Sequence, residues 1–364
     1  MTPTTEEELA RAIRDAQGPL AIRGAGTRAP AAPVEDSISI TGLSGISLYE
    51  PGALTLVAKA GTPISEIETA IEAEGQRLAF EPWDLRPVLG RSGEPTLGGC
   101  VATNASGPRR IAANACRDAL LGLRFVDGEG TILKSGGRVM KNVTGLDLVR
   151  LMCGSRGSLG AITEVSLKLL PGVAATATLT ADGLSVPEAV AAMSAALGTP
   201  FEVTGAAHDP QAGLTHLRIE GSEASVDYRC GRLTDALAEH GNWSITTGEG
   251  PWPRLRDAAD LTGDADLWRI SIRASRAPEV TRSLPGRFLL DWGGGLVWAE
   301  APAGTDLRAV LPCVGHATLI RASSETHDRL GTFHPEAEPV ARLSAGIRDR
   351  FDPRGLFRPR PVPA

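Results

Sequence analysis

The chain has 364 residues, 42% hydrophobic and 22% charged, the make-up of a globular protein long enough for two domains. Its 43 acidic residues outnumber 37 basic ones, giving a net charge of −6, and only 4% of residues are aromatic. These figures exclude general nucleic-acid binding, which needs a basic surface and stacking platforms. The five cysteines, Cys100, Cys116, Cys153, Cys230 and Cys313, contain no C-x-x-C pair. That pattern argues against a disulfide framework or a four-cysteine iron–sulfur site and for free thiols in a reducing compartment. The opening "MTPTTEEELARAIRDAQ" is acidic and amphipathic, unlike a signal peptide, and no apolar run is long enough to span a bilayer. The expected location is the cytoplasm, with any membrane contact made through a partner.

Thr5 followed by Glu8 is a capping-box pattern ahead of Leu9 and Ile13, so a first helix is expected from about Glu6 to Gln17. "PLAIR" then reads as a buried strand entering Gly24-Ala25-Gly26-Thr27-Arg28-Ala29. On paper this is G-x-G-x-x-A, the outline of a Rossmann fingerprint. Such a loop needs a helix directly after it to hold a pyrophosphate. Pro30 and Pro33 oppose that helix, since an interior proline costs about 3 kcal/mol and the residue before one avoids the α region. Two readings remain: a tight turn, or a glycine loop whose N–H groups converge on an anion between Arg23 and Arg28.

"SISIT" and "LTLVAKAG" read as strands, and Thr62-Pro63 opens a helix carrying Ile64, Ile67 and Ile71 up to Gly75. The stretch from Phe80 to Arg110 is irregular and rich in Gly, Pro, Ser, Thr and Asn, yet Leu97, Val101 and Ala102 are more than a solvated linker needs. "LLGLRFVDGEGTILKSGG" is a hairpin, "GLDLVRLMCG" a short helix and "LGAITEVSLKLLP" a strand ending at Pro171. Beyond Pro171 the element order becomes β-α-β-β-α-β, as in ferredoxin-like folds, and it recurs after a linker, with a helix expected near "DLRAVL". A last helix in "PEAEPVARLSAGIRDRFDP" is expected to pack back on the first domain. The fold class is therefore α+β, with an antiparallel second sheet carrying helices on one face. The expected divisions are 1–172, 173–333 and 334–364.

Several motifs in this order carry a resemblance. "PTLGGCVATNASGPRR", then "KNVTGLDLVRLMCGSRGSLG" and a terminal "FDPRGLFRP" follow the glycine loop. Together they resemble the flavoproteins of the vanillyl-alcohol-oxidase type, which carry a PCMH-type, two-subdomain FAD-binding domain. "LWRIS", "LLDWGGGLVW" and "GHATLIRAS" extend the likeness to the smaller flavin-domain subunits of bacterial glycolate oxidases, over nearly the whole chain.

The resemblance implies FAD lying between the two subdomains of the first domain. Arg23, Gly24, Ala25, Gly26, Thr27 and Arg28 match the first pyrophosphate loop. Gly61 and Pro82 match positions near the flavin ring. Gly98 and Gly99 match the second loop, with Thr103, Asn104, Ser106 and Gly107 as polar contacts. Gly157, Gly160 and Ile162 match the segment facing adenine or ribose. Some members attach flavin through a histidine in the first loop; here Thr27 stands in that loop, so non-covalent FAD is expected.

The six histidines, His208, His216, His240, His316, His327 and His334, include no pair at two- or four-residue spacing. The metal-binding histidine motif of related hydroxy-acid oxidases is therefore missing, and no metal is expected. His316 is the histidine to test first as a base on a hydroxyl, against its other reading as a structural strand residue. In "LWRISIR", strand alternation puts Trp268, Ile270 and Ile272 on one face and Arg269, Ser271 and Arg273 on the other. That second face is either a carboxylate clamp, or a solvated face or an interface with another subunit.

The function that the resemblance implies is oxidation of a small 2-hydroxy acid, glycolate, to glyoxylate. The implied partners are a larger related flavin-domain subunit and an iron–sulfur subunit, with the inner membrane reached only through that complex. A stand-alone FAD-dependent 2-hydroxy-acid or alcohol oxidoreductase and a non-catalytic assembly subunit remain as alternatives.

Overall fold

The structure is a computed structural model and describes residues 1–28, 36–138 and 146–357. The first helix, α1 (Glu6–Asp15), is capped by the Thr5 side chain, which accepts from the Glu8 N–H at 3.2 Å. The box is offset on its return side, because the Glu8 carboxylate takes the N–H and hydroxyl of Thr4, not Thr5. Strand β1 (Ala21–Arg23) leads into the glycine loop and pairs in parallel with β2 (Ser37–Ser39). Pro30 and Pro33 lie outside the described residues. "SISIT" is strand only to Ser39; Ile40–Gly42 turns as a 3₁₀ segment.

A six-stranded sheet follows, built from β3 (Ile46–Glu50), β4 (Thr55–Lys59), β5 (Gln76–Leu78), β6 (Leu120–Val126), β7 (Ile132–Gly136) and β8 (Ala161–Pro171), with α2 (Ile64–Glu72) crossing between β4 and β5. Its order is β3-β4-β8-β6-β7, and β5 pairs with the far end of β8. Strand β3 escaped the sequence reading because it is half-exposed and shows no clean alternation. The Phe80–Arg110 stretch is not one long loop. It holds α3 (Arg86–Leu89), α4 (Leu97–Ala102) and α5 (Arg110–Ala113), with α6 (Cys116–Ala119) and α7 (Leu148–Met152) beyond. Trp83, Leu85, Leu97, Val101 and Ala105 enter the main hydrophobic core. Burial of those side chains, each worth roughly 1.5–3 kcal/mol, explains how so many short helices persist below the length at which helices hold alone.

The second sheet has eight strands. The first ferredoxin-like unit is β9 (Ala175–Asp182), α8 (Val186–Leu197), β10 (Gly205–Asp209), β11 (Leu214–Gly221), α9 (Glu223–Ala236) and β12 (Trp243–Thr247). Helix α10 (Trp252–Arg256) links it to β13 (Asp266–Ser271), α11 (Ala277–Arg282), β14 (Phe288–Asp291), β15 (Leu296–Ala301) and β16 (His316–Arg321). The strand order β12-β9-β11-β10-β14-β15-β13-β16 reads 4-1-3-2 in the first unit and 2-3-1-4 in the second. The two units therefore meet edge to edge, joined where His208 on β10 pairs with Leu290 on β14. The helix expected near "DLRAVL" is absent; residues 307–310 form turns. Asp306 accepts from the Arg308 N–H in a local turn, and Leu311 precedes Pro312, a position that disfavours α geometry. A helix forms instead after β16, as α12 (Ser324–Leu330), capped by Ser323.

One face of this sheet packs on its helices through Trp268, Ile270, Val297 and Leu290. The other face meets the first sheet's core through Leu267, Leu289, Leu296 and Trp298. The last helix, α13 (Glu338–Phe351), has no buried residue along its length, and Leu343 is 70% exposed. Its end makes the return contact. Phe351 stacks against Phe125 at 5.9 Å, and Asp352 accepts from the N–H groups of Leu356 and Phe357, which join α1 in a small core.

A buried ionic network ties the two sheets together. Glu220 on β11 accepts from Arg77 at 2.7 Å and from Arg109 at 2.8 Å. Glu81, in the segment before α3, accepts from Arg218 at 2.8 Å and from the Arg109 N–H at 2.9 Å. Burial opposes ionisation of Glu220, but hydrogen bonds from Arg109 and the charges of Arg218, Arg109 and Arg77 outweigh it and hold the pKa at about 2.

Candidate functional site: an arginine-lined recess between the sheets

The glycine loop after β1 lies against the start of α4. Thr96 caps α4 by accepting from the Gly99 N–H at 3.3 Å, and a Cβ on Gly24 would run into the Thr96 hydroxyl. A Cβ on Gly99 would stand 3.2 Å from that same hydroxyl and 3.9 Å from Arg28 Cδ. The two glycine segments, far apart in sequence, therefore form one surface. Gly26 takes φ +74°, which a side chain would strain. Among the described residues, no protein acceptor meets the N–H groups of Ala25, Gly26, Thr27 or Arg28.

Arg28 lies 4.6 Å from the Trp83 ring centre and donates to Cys100 Sγ at 3.2 Å. Its Nε and Nη1 are buried with no partner among the described residues. Buried guanidinium donors without an acceptor are costly, so a site that keeps them is shaped for an anion that supplies one. Free backbone N–H groups beside an unpaired arginine fit the diphosphate of a dinucleotide.

The remaining residues named from the sequence divide by what already holds them. Gly61 donates to Leu43 O and Gly98 to Ala60 O, each at 2.7 Å, and a Cβ on either would strike neighbouring chain. Their missing side chains serve close packing of the walls. Gly107 donates to Phe80 O at 3.0 Å. The Thr103 hydroxyl donates to Gly99 O at 2.8 Å, and the Ser106 hydroxyl donates to Asn104 O and accepts from Cys116 N–H. Asn104, at φ +49°, accepts from the Arg117 N–H. Pro82 is buried beside Trp83, and Ile162 is 4% exposed in the core. Gly160 needs its φ of +149° to pass Val126 O. Gly157, at φ +80°, lies nearest Ile22 on β1. Arg23 ends β1 at the mouth of the loop.

Three further arginines line the recess. Arg156 follows Ser155, and its N–H donates to Ala102 O on α4. Its guanidinium lies 4.9 Å from the Phe333 ring. Solvent reaches its side chain, yet surrounding protein and the Arg28 charge lower its pKa to about 10; the combination places it in a concavity, not on an outer surface. Arg269 on β13 faces the same way as Ser271, as strand alternation requires, and its pKa falls to about 10 through desolvation, then the charges of Arg110 and Arg156. Arg110 opens α5 and is likewise lowered, first by desolvation, then by Arg117. None of Arg28, Arg110, Arg156 and Arg269 forms an ion pair with a carboxylate among the described residues.

Arg110 and Arg269 share one tryptophan that the sequence reading did not single out. Trp292 lies 4.4 Å from Arg110 and 5.1 Å from Arg269, ring centre to guanidinium carbon. Its indole N–H donates to Gly107 O at 3.0 Å, and its backbone N–H donates to Asp291 at 2.7 Å. It sits at φ +54°, a conformation rare for a bulky residue. The one signal in sequence was an aromatic at the start of the "DWGGG" turn.

Arg273 lies beyond the end of β13 and is exposed, outside this group. His316 pairs with Ser271 across the sheet and so shares the Arg269 face. The fold brings His334 to it, ring centres 5.6 Å apart, and desolvation, then His316, lower the His334 pKa. Among the described residues, no group of three or more His, Cys, Asp or Glu side chains is arranged to hold a metal ion. No helix there is long and apolar enough to cross a membrane.

A family model described as an FAD binding domain matches residues 1–136. The chain is 36% identical over 361 residues to the glycolate oxidase subunit GlcE of Escherichia coli (strain K12), covering 97% of this chain and 95% of that one. It is 28% identical over 178 residues to the glycolate oxidase subunit GlcD of Bacillus subtilis (strain 168), 47% of this chain and 36% of that one. In structure it resembles alkyldihydroxyacetonephosphate synthase, with TM-score 0.68, 15% identity, and coverage of 100% of this chain and 77% of that one.

Proposed function

Because the chain belongs to the family of the glycolate oxidase subunit GlcE, an FAD-dependent oxidoreductase family, we propose that it is the FAD-binding subunit of a complex oxidising glycolate to glyoxylate. The observation that carries this reading is a series of arginines with no carboxylate partner among the described residues, reaching from the glycine loop to the eight-stranded sheet.

Residues 1–172 hold the cofactor, 173–333 cover it, and 334–364 form the terminal segment, whose residues 351–357 return to the first domain. FAD, when bound, supplies the acceptor for a hydride from the carbon bearing the hydroxyl. It is held without a covalent bond, since Thr27 stands in the first loop and Cys100 and Cys116 are fully buried. Arg28 and the loop N–H groups bind the diphosphate. His316, with His334 beside it, takes the hydroxyl proton. A larger related flavin-domain subunit and an iron–sulfur subunit would take the electrons onward, in the cytoplasm and at the inner membrane only through that complex.

The test is dye-linked glycolate oxidation by the purified chain alone and after reconstitution with the two partner chains. Turnover only in the reconstituted complex is expected. Turnover by the lone chain would establish the stand-alone alternative, and a chain that never retains flavin would establish the assembly-subunit alternative. Acid precipitation should release the flavin into the supernatant; flavin that stays with the pellet would overturn the non-covalent assignment.

A further inference from the structure

The diphosphate of FAD brings fewer negative charges than the four guanidiniums of Arg28, Arg156, Arg269 and Arg110 bring positive ones. They form a connected series, since Arg156 feels Arg28 and Arg269 feels both Arg156 and Arg110. Arg28 stands at the glycine-loop end. Arg110 and Arg269 stand at the other, gathered on Trp292. Like charges held together in a partly desolvated recess repel unless a second anion sits among them.

The architecture at that end is built to hold the pair in place. Arg109 is fixed by Glu220 and Glu81, which sets α5 and so the direction of Arg110. The indole of Trp292 is pinned by Gly107 O from the first domain and its backbone by Asp291 from the second. Its left-handed φ is strain of the kind that persists where surroundings over-determine it, often at a ligand site. Arg269 Nε is buried with no hydrogen-bond partner among the described residues. Trp292 and Trp298, both near Arg269, make the floor apolar, which strengthens charge recognition by excluding water.

From this we infer that Arg269 and Arg110, braced on Trp292, form a binding site for the carboxylate of a small 2-hydroxy acid, separate from the FAD diphosphate site at Arg28. Arg269 provides a forked, bidentate donor set from the second sheet. Arg110 supplies a second charge from the first domain, so the site is complete only when both sheets are docked. The assignment to a hydroxy acid rests on the function proposed above; the anion site itself does not.

The test titrates the flavin-loaded chain with oxalate, a small carboxylate with no hydroxyl to oxidise. Flavin absorbance and tryptophan fluorescence are read in parallel, and the second needs no flavin. Saturable binding is expected in the wild type. Arg269→Gln and Arg110→Gln each weaken it at least tenfold while FAD content stays unchanged, and Arg269→Lys falls between, because lysine lacks the fork. Trp292→Phe reduces the fluorescence response. If the arginine variants lose FAD but bind oxalate as before, these residues serve the cofactor and the inference is overturned. An absent wild-type response overturns it too. Should Arg269→Gln fail to fold, Arg110→Gln and Arg269→Lys decide. Oxalate binding with the expected arginine dependence, but no glycolate turnover even with partner chains, would defeat the proposed function and leave the carboxylate site standing.

Discussion

Arg28 is the residue whose removal should act on the cofactor most directly. Two of its nitrogens are buried with no acceptor among the described residues, so on the proposed reading its contribution goes to the bound diphosphate. Charge-assisted hydrogen bonds are worth roughly 1.5–3 kcal/mol, so Arg28→Ala should weaken FAD binding about ten- to a hundredfold, read by flavin-fluorescence titration. An unchanged dissociation constant would place the diphosphate elsewhere. Asp291 makes a different prediction. It is 1% exposed, and burial raises its pKa to about 7. The folded chain thus keeps a proton there that the unfolded chain releases from about pH 4 upward. Stability from this group is full at low pH and is lost as pH rises toward 7. Asp291→Asn keeps an oxygen for the Trp292 N–H and cannot ionise. Its melting temperature should exceed that of the wild type at pH 8, with the gap closing by pH 4.5; a gap that does not depend on pH would refute the assignment.

At the scale of elements, the proposed cofactor surface depends on β1's loop lying against the start of α4. Gly24→Ala would force its methyl group into the Thr96 hydroxyl and part the two segments. FAD affinity should fall tenfold or more with the fold retained by circular dichroism. Adding Thr96→Ala removes the obstacle and should restore much of the loss, a coupling read from the double-mutant cycle. Independent effects would mean the two segments do not act as one surface. The glycines of this surface were legible from sequence because close approach leaves a compositional mark. The division among them was not. Gly61 and Gly98 pack wall against wall, while Gly24 to Arg28 keep N–H groups without a protein acceptor among the described residues. The "DLRAVL" segment shows the opposite failure, since its helical spacing gives way to a turn set by Asp306 and Pro312.

For the whole molecule, the decisive contact is the ionic network of Arg77, Glu81, Arg109, Arg218 and Glu220. Its low-pKa member, Glu220, contributes stability that is fully present above the ordinary carboxylate range and is lost as pH falls toward about 2. Glu220→Gln leaves buried arginines short of a counter-charge and should cost about 3–5 kcal/mol. Because the network joins the two sheets, the wild type should melt in one calorimetric transition, and the variant in two or in one that is markedly broadened. A single sharp transition shifted by under a degree would show that the sheets are held by their apolar contact alone.

The sequence by itself determined the local features: the glycine loops, the hairpin of β6 and β7, the β-α-β-β-α-β order of the first ferredoxin-like unit, the return of its strand pattern after the linker, and the two faces of β13. Each rests on periodicity, turn chemistry or composition within a short window, where neighbours along the chain decide the outcome. Tertiary structure decided how the two ferredoxin-like units join edge to edge, which glycines brace walls, and which arginines have no carboxylate partner among the described residues. It also brought Trp292 to Gly107 across 185 residues and His334 to His316. Pairing and burial of charge depend on contacts between distant segments, and no local pattern records whether a guanidinium will meet a glutamate, as Arg109 does, or face an open recess, as Arg110 does beside it.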